Sequence, residues 1–157
     1  MTSGLKPLKV LEACLYSNDL PAAEEFYSRV LGLEVYLPAT EREVFFRCGD
    51  CMVLIFDPRK TRLADSSVSG APDGIPTHGA VGVGHLAFAV SPDELEAWRT
   101  RLNRHSVEID SEVRWPNGAR SLYFQDPAGN CLELTVASLW QHSAGEMPLR
   151  ERVQEGS

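Results

Sequence analysis

No apolar run in this chain approaches the roughly 20 residues that a membrane-spanning helix needs. The opening Met1-Thr2-Ser3-Gly4-Leu5-Lys6 has no apolar signal-peptide core. Basic residues are short as well: 15 Lys and Arg stand against 22 Asp and Glu, for a net charge of -7. No basic stripe is left to attract nucleic acid, and an anionic membrane surface would repel the chain. Cysteine is sparse, at Cys14, Cys48, Cys51 and Cys131. In a chain of this type these read as reduced thiols rather than a disulfide framework. The expectation is a cytoplasmic protein with no nucleic-acid or membrane partner. Cys48-Gly49-Asp50-Cys51 spells C-x-x-C, but it brackets a Gly-Asp turn between two strand-like runs and reads as hairpin chemistry. A zinc knuckle would need a second such pair.

What is present is ordinary for one globular domain of 157 residues, with 43% hydrophobic and 24% charged residues. Residues 9–16 alternate as a strand, placing Val10, Glu12, Cys14 and Tyr16 on one face. Asn18-Asp19 supplies a helix cap and Pro21 suits the first turn. Ala23, Phe26, Tyr27, Val30 and Leu31 form the helix's apolar stripe, and Gly32 ends it. Strands are expected near 33–37, 43–48 and 51–56. Residues 57–82 are rich in Pro, Gly, Ser and Asp and read as a linker or as a flap over a site. The series then restarts. Residues 83–90 alternate, with His85, Ala87 and Ala89 on one face. Ser91-Pro92-Asp93-Glu94 is a strong helix start, and Leu95, Trp98 and Leu102 carry a buried stripe. Strands follow near 107–114, 120–125 and 131–137. Leu139 and Trp140 are expected to dock, and the tail beyond is polar.

Strand, helix and three strands therefore occur twice, in module one at about 9–57 and module two at 83–137, joined by the linker 58–82 and followed by the tail 138–157. Self-similarity of this kind means two copies of one unit. Gly49-Asp50-Cys51-Met52-Val53-Leu54 lies over Gly129-Asn130-Cys131-Leu132-Glu133-Leu134, with two extra residues in the second turn, and Phe45 lies over Tyr123. The fold class expected is α+β: two βαβββ modules forming a cup-shaped, partly open eight-stranded sheet with helices outside. Glu133 stands out as a carboxylate between Leu132 and Leu134, because burying an unpaired carboxylate is costly. Strand parity puts Glu12, His85 and Glu133 on the faces away from the helices, with Val53 at the fourth, matching position.

The helix Asp19–Gly32, the run Gly84-His85-Leu86-Ala87-Phe88 and the turn Asp126-Pro127-Ala128-Gly129-Asn130 leading into Glu133 together resemble the vicinal oxygen chelate superfamily. That family includes glyoxalase I, extradiol dioxygenases and bleomycin-binding proteins. The resemblance implies a divalent metal (Zn, Ni, Mn or Fe) held by Glu12, His85 and Glu133, with open positions for substrate. Many members have His where this chain has Glu12. It implies a metal-dependent glyoxalase-type lyase or isomerase acting on a small substrate through two adjacent oxygens, with Glu12 and Glu133 as catalytic proton carriers. A metal-free drug-sequestering protein and an extradiol-type dioxygenase are the alternatives. A homodimer is also implied. Arg47 is a candidate clamp for a substrate anion, Tyr123 a donor to an oxyanion, and Phe45 and Trp115 are aromatic contacts. Cys14 and Cys131 read as packing residues. His78 is a loop residue within reach of the site, and His105 and His142 read as surface residues.

Overall fold

The computed structural model describes residues 4–64 and 74–141. Their contacts divide into two compact units. One comprises the chain up to Gly84 together with Asp126–Asn130, and the other His85–Gln125 with the chain from Cys131 onward. The eight expected strands are all present, as two four-stranded sheets.

In the first unit, β1 (Glu12–Tyr16) leads to α1 (Leu20–Glu25), which widens into a π-helical turn over Phe26–Val30. Asp19 caps the helix by accepting the Ala22 N–H at 3.0 Å, and Pro21 sits in the first turn. Then come β2 (Glu34–Leu37), β3 (Glu43–Cys48) and β4 (Cys51–Phe56). The order is β1-β4-β3-β2, with β1 parallel to β4 and the other pairings antiparallel. Ala23, Phe26, Tyr27 and Val30 of the helical segment are buried, as are Leu15, Val44, Phe46 and Ile55 of the sheet. The Tyr27 and Phe46 rings lie 5.3 Å apart. Cys48 and Cys51 face each other across the two-residue turn as free thiols, which is the hairpin expected.

The linker begins with structure that its composition hid. Asp57 caps a short helix, α2 (Pro58–Thr61), accepting the Arg59 N–H at 2.8 Å. The Asp-Pro pair is a cap followed by a first-turn proline, a signal overlooked among the loop-forming residues around it. Part of the expected flap, residues 65–73, falls outside the described residues.

In the second unit, β5 (His85–Ala89) is followed by a 3₁₀ turn (Pro92–Glu94) and α3 (Leu95–Arg104). The helix starts where expected, with Pro92 in the first turn, but Ser91 makes no side-chain cap bond. Leu95 and Leu102 are buried and Trp98 is half-buried. β6 (Ile109–Arg114), β7 (Arg120–Gln125) and β8 (Cys131–Thr135) complete the order β5-β8-β7-β6. Glu96 of α3 pairs with Arg120 of β7 at 2.8 Å, and Arg99 pairs with Glu112 of β6. After β8, Leu139 is buried but Trp140 is exposed, so only the first of the two docks. The tail beyond Gln141, with His142, lies outside the described residues.

The registers correct one detail of the repeat. Glu12 lies opposite Met52, and His85 lies opposite Cys131. Met52 is therefore the equivalent of Cys131, and Leu54, not Val53, is the equivalent of Glu133. The β3–β4 and β7–β8 pairings agree, with Phe45 opposite Leu54 and Tyr123 opposite Glu133. The second turn is longer by one residue, not two. Val53 and Ile55, both buried, lie on the helix side, and Met52, Leu54 and Phe56 share the face of Glu12. A run as uniformly apolar as Met52–Phe56 offers no alternation to read, and a slip of one residue reverses every side chain.

The turn Asp126–Asn130 is folded into the first unit. Asp126 Oδ1 accepts the Ala128 and Asn130 N–H groups at 3.0 and 2.9 Å, and Gly129 takes the positive φ of 84° that closes the turn. Tyr27 donates its buried hydroxyl to Asp126 Oδ2 at 2.8 Å. Burial, and then the Asp126 carboxylate, hold that phenol protonated far above its usual range. Asn130 donates to the Tyr16 carbonyl at 3.2 Å and accepts the Gly84 N–H at 2.8 Å. Gly84 has no room for a side chain, since a Cβ there would meet Leu15 Cδ2 at 2.6 Å.

Candidate functional site

On the second unit's sheet, His85, Tyr123 and Glu133 converge on one face. Ala87 and Tyr123 flank Glu133 across β5 and β7, and His85 lies one pleat away opposite Cys131. The His85 and Tyr123 rings are stacked with centroids 6.2 Å apart. His85 Nδ1 is 3.0 Å from the Cys131 carbonyl, which can only accept, so Nδ1 carries the proton. In the neutral ring Nε2 is then an acceptor, and it lies 3.4 Å from Glu133 Oε2. Two acceptors facing each other repel unless a proton or a cation lies between them. Glu133 is only 4% exposed, and its Oε1 is buried with no hydrogen-bond partner. Burial first, and then the neighbouring Glu133, push the Tyr123 phenol up to about 12. Tyr123 is therefore a proton donor at neutral pH.

Next along the same face, Trp115 donates its indole N–H to Ser121 Oγ at 2.8 Å, and Ser121 donates to Thr135 Oγ1 at 2.9 Å. Trp115 is thus half-buried and held by its polar end. Ser121, with no exposed surface, is a part of this face that sequence reasoning did not single out. Its alternation with Tyr123 on β7 was the available signal.

Glu12 belongs to the first unit and is exposed. It lines a cavity of 680 Å³ on the helix-free face of that sheet, with Phe45, Leu54 and Phe56. Residues 75–78 form one wall. His78 Nδ1 takes a hydrogen bond from the Tyr16 hydroxyl at 2.8 Å, and its ring meets Phe56 edge-on at 4.8 Å. Burial first, and then Cys14, raise Tyr16 to about 12, which keeps it a donor. His78 is lowered, first by burial and then by Arg42. So His78 reaches the sheet face of its own unit, and Tyr16 is a site residue that sequence reasoning passed over. Arg47 turns elsewhere: its guanidinium lies over the Tyr36 ring at 4.5 Å and 3.8 Å from Glu34. Cys14 is exposed and 3.8 Å from the Tyr16 hydroxyl. Among the described residues no group of three or more His, Cys, Asp and Glu side chains is disposed to hold a metal ion. His85 and Glu133 are the two proposed ligands that the fold brings together. Their converging acceptors and the unsatisfied Oε1 fit a cation.

The profile of the Glyoxalase/Bleomycin resistance protein/Dioxygenase superfamily matches residues 9–134. The crystal structure of lactoylglutathione lyase from Agrobacterium tumefaciens is 42% identical in sequence. It matches with a TM-score of 0.79 over 87% of this chain and 98% of that one. Metallothiol transferase FosB of Staphylococcus haemolyticus is 25% identical over 137 residues, covering 84% of this chain and 86% of its own length. A glyoxalase/bleomycin resistance protein/dioxygenase from Nocardioides shares the fold at 23% identity and a TM-score of 0.66, over 92% of this chain and 93% of its own. By these matches and by its twice-repeated βαβββ unit, the chain belongs to the glyoxalase/bleomycin resistance protein/dioxygenase superfamily of vicinal oxygen chelate folds.

Proposed function

We propose that the protein is a metal-dependent glyoxalase-type lyase or isomerase acting on a small substrate with two adjacent oxygens. His85 and Glu133 would hold a divalent cation (Zn, Ni, Mn or Fe), with Glu12 of the first unit as the third ligand. The observation that carries this reading is the pair of facing acceptors, Nε2 of His85 and Oε2 of Glu133 at 3.4 Å, beside the unpartnered Oε1. A bound cation supplies Lewis-acid polarisation of substrate oxygens. The protein's own groups would do the rest. The Cys131 carbonyl fixes the His85 tautomer, which keeps Nε2 free. Glu133, or Glu12, accepts a proton from carbon and returns it to the neighbouring carbon. Tyr123, protonated at neutral pH, donates to the oxygen on which charge develops. Trp115 forms an aromatic wall on the same face. Cytoplasmic residence and a homodimer accompany this reading.

The test is elemental analysis of protein purified without chelator. About one divalent ion per chain is expected, with loss of most of it in Glu133→Gln. Formation of lactoylglutathione from methylglyoxal and glutathione is the first reaction to assay, since the Agrobacterium relative carries that activity in its name. A metal-free wild type, or a Glu133→Gln variant that keeps its ion, would overturn the reading.

A further inference from the structure

Cys48 and Cys51 take no part in the chemistry described so far. They oppose each other as the last partners of β3 and β4, at the base of the Gly49-Asp50 turn. Opposed residues of antiparallel strands point their side chains to the same side, with Cα atoms about 4.5–5.5 Å apart, inside the span of about 4.4–6.8 Å that a disulfide needs. Gly49 takes the positive φ of 59° that a two-residue hairpin turn requires, which holds the two strand ends together. The repeat gives an independent measure of reach. By the registers above, Cys48 and Cys51 stand where the second module has Asp126 and Asn130. There the two side chains meet across the turn, Asn130 Nδ2 donating to Asp126 Oδ2 at 2.9 Å. Side chains at these two places therefore touch, and the fold does not demand sulfur at either.

Both thiols are free and half-buried, at a tip whose Gly49 and Asp50 are exposed. A Cβ on Gly49 would meet only open space, so a small molecule can approach the tip. Burial first, and then Cys51, push the Cys48 thiol up, which leaves Cys51 to attack first. We propose that Cys48 and Cys51 form a thiol-exchange site that reduces small-molecule disulfides such as oxidised glutathione and closes reversibly into a hairpin disulfide. The Cys51 thiolate attacks one sulfur, the S–S bond of the reagent breaks, and one thiol leaves with the proton that Cys51 gave up. Cys48 then loses its proton and attacks Cys51 Sγ, expelling the second thiol with that proton. Two protein thiols are oxidised, and one disulfide is reduced to two thiols. In a reducing compartment the bridge is transient and is reopened by excess thiol. None of Glu12, His85, Glu133 or a metal ion is involved, so the site stands or falls separately from the proposed enzymatic reaction.

The test titrates the reduced full chain with oxidised glutathione in the presence of chelator. Intact mass is followed, together with digestion by a protease that cuts before Asp50, between the two cysteines. The chain should lose the mass of two hydrogens, and the cut pieces should stay joined until dithiothreitol separates them. Glutathione adducts at these two cysteines should stay at about a tenth of the bridged form or less, because the second attack is intramolecular. Cys48→Ser should instead trap glutathione on Cys51 and form no bridge. If Cys48→Ser fails to fold, the wild-type digest decides the matter. Pieces that separate without reductant, an adduct that persists on wild-type Cys48 or Cys51, thiols that stay free, or a bridge to Cys14 or Cys131 would overturn the proposal.

Discussion

Glu133 and Tyr123 divide the chemistry of the second unit between an acceptor and a donor on adjacent strands. A hydroxyl held protonated by burial and by a neighbouring carboxylate is useful only where negative charge appears transiently. Tyr123→Phe should therefore lower kcat of the proposed reaction by about 10²-fold while changing KM little, the pattern for a contact made mainly in the transition state. Steady-state kinetics measures this, and an unchanged kcat would remove Tyr123 from the mechanism. The variant should fold, since Phe45 fills the equivalent place in the first unit. Residue by residue, legibility followed locality. Glu133 betrayed itself by standing between two leucines. Arg42 and His78 did not, because one is buried by a ring 14 residues on and the other bonds a tyrosine 62 residues back.

Among the elements, the wall formed by residues 75–78 is tied to β1 by a titratable contact. His78 accepts from Tyr16 only as a neutral ring. Its pKa is lowered in the fold, first by burial and then by Arg42, with Glu43 acting in the opposite sense. A lowered pKa means that the unfolded chain binds the proton more readily. The associated stability is then fully present above about pH 6.5, the unperturbed value, and is lost as pH falls through the lower folded value. Melting temperature measured between pH 7.5 and 4.5 should fall more for the wild type than for His78→Gln, in which that slope is removed. Parallel profiles for the two proteins would show that the contact carries no such linkage. Elements with strong periodicity or punctuation were open to sequence reading: β1, β5, α1 and the Asp126–Asn130 turn. The parity of β4 was not, since five apolar residues in succession look alike from either face. Nor was α2, whose four residues are too few for a period.

At the scale of the whole molecule, the repeat describes the sequence better than it describes the units. Residues 126–130 lie within the second module in the chain but pack with the first unit. Asn130, 2% exposed, satisfies the Tyr16 carbonyl, the Gly84 N–H and an Asp126 oxygen together. Asn130→Ala leaves these buried groups unpaired and should cost about 2 kcal/mol or more in chemical denaturation, given about 1–3 kcal/mol for each orphaned group. A loss under about 0.5 kcal/mol, the size of an ordinary surface substitution, would mean the turn is not the clasp it resembles.

That clasp also sets a timetable for folding. Tyr27 waits for a partner 99 residues downstream, and the Tyr16 carbonyl for one 114 residues downstream. At a synthesis rate of about 5–20 residues per second, Asn130 follows Gly84 by roughly 2–9 seconds. For that interval the nascent first unit carries an unfilled seat for the turn and an unpaired tyrosine hydroxyl. Birth order and folding order therefore part company: the half made first cannot be finished until most of the second has been made.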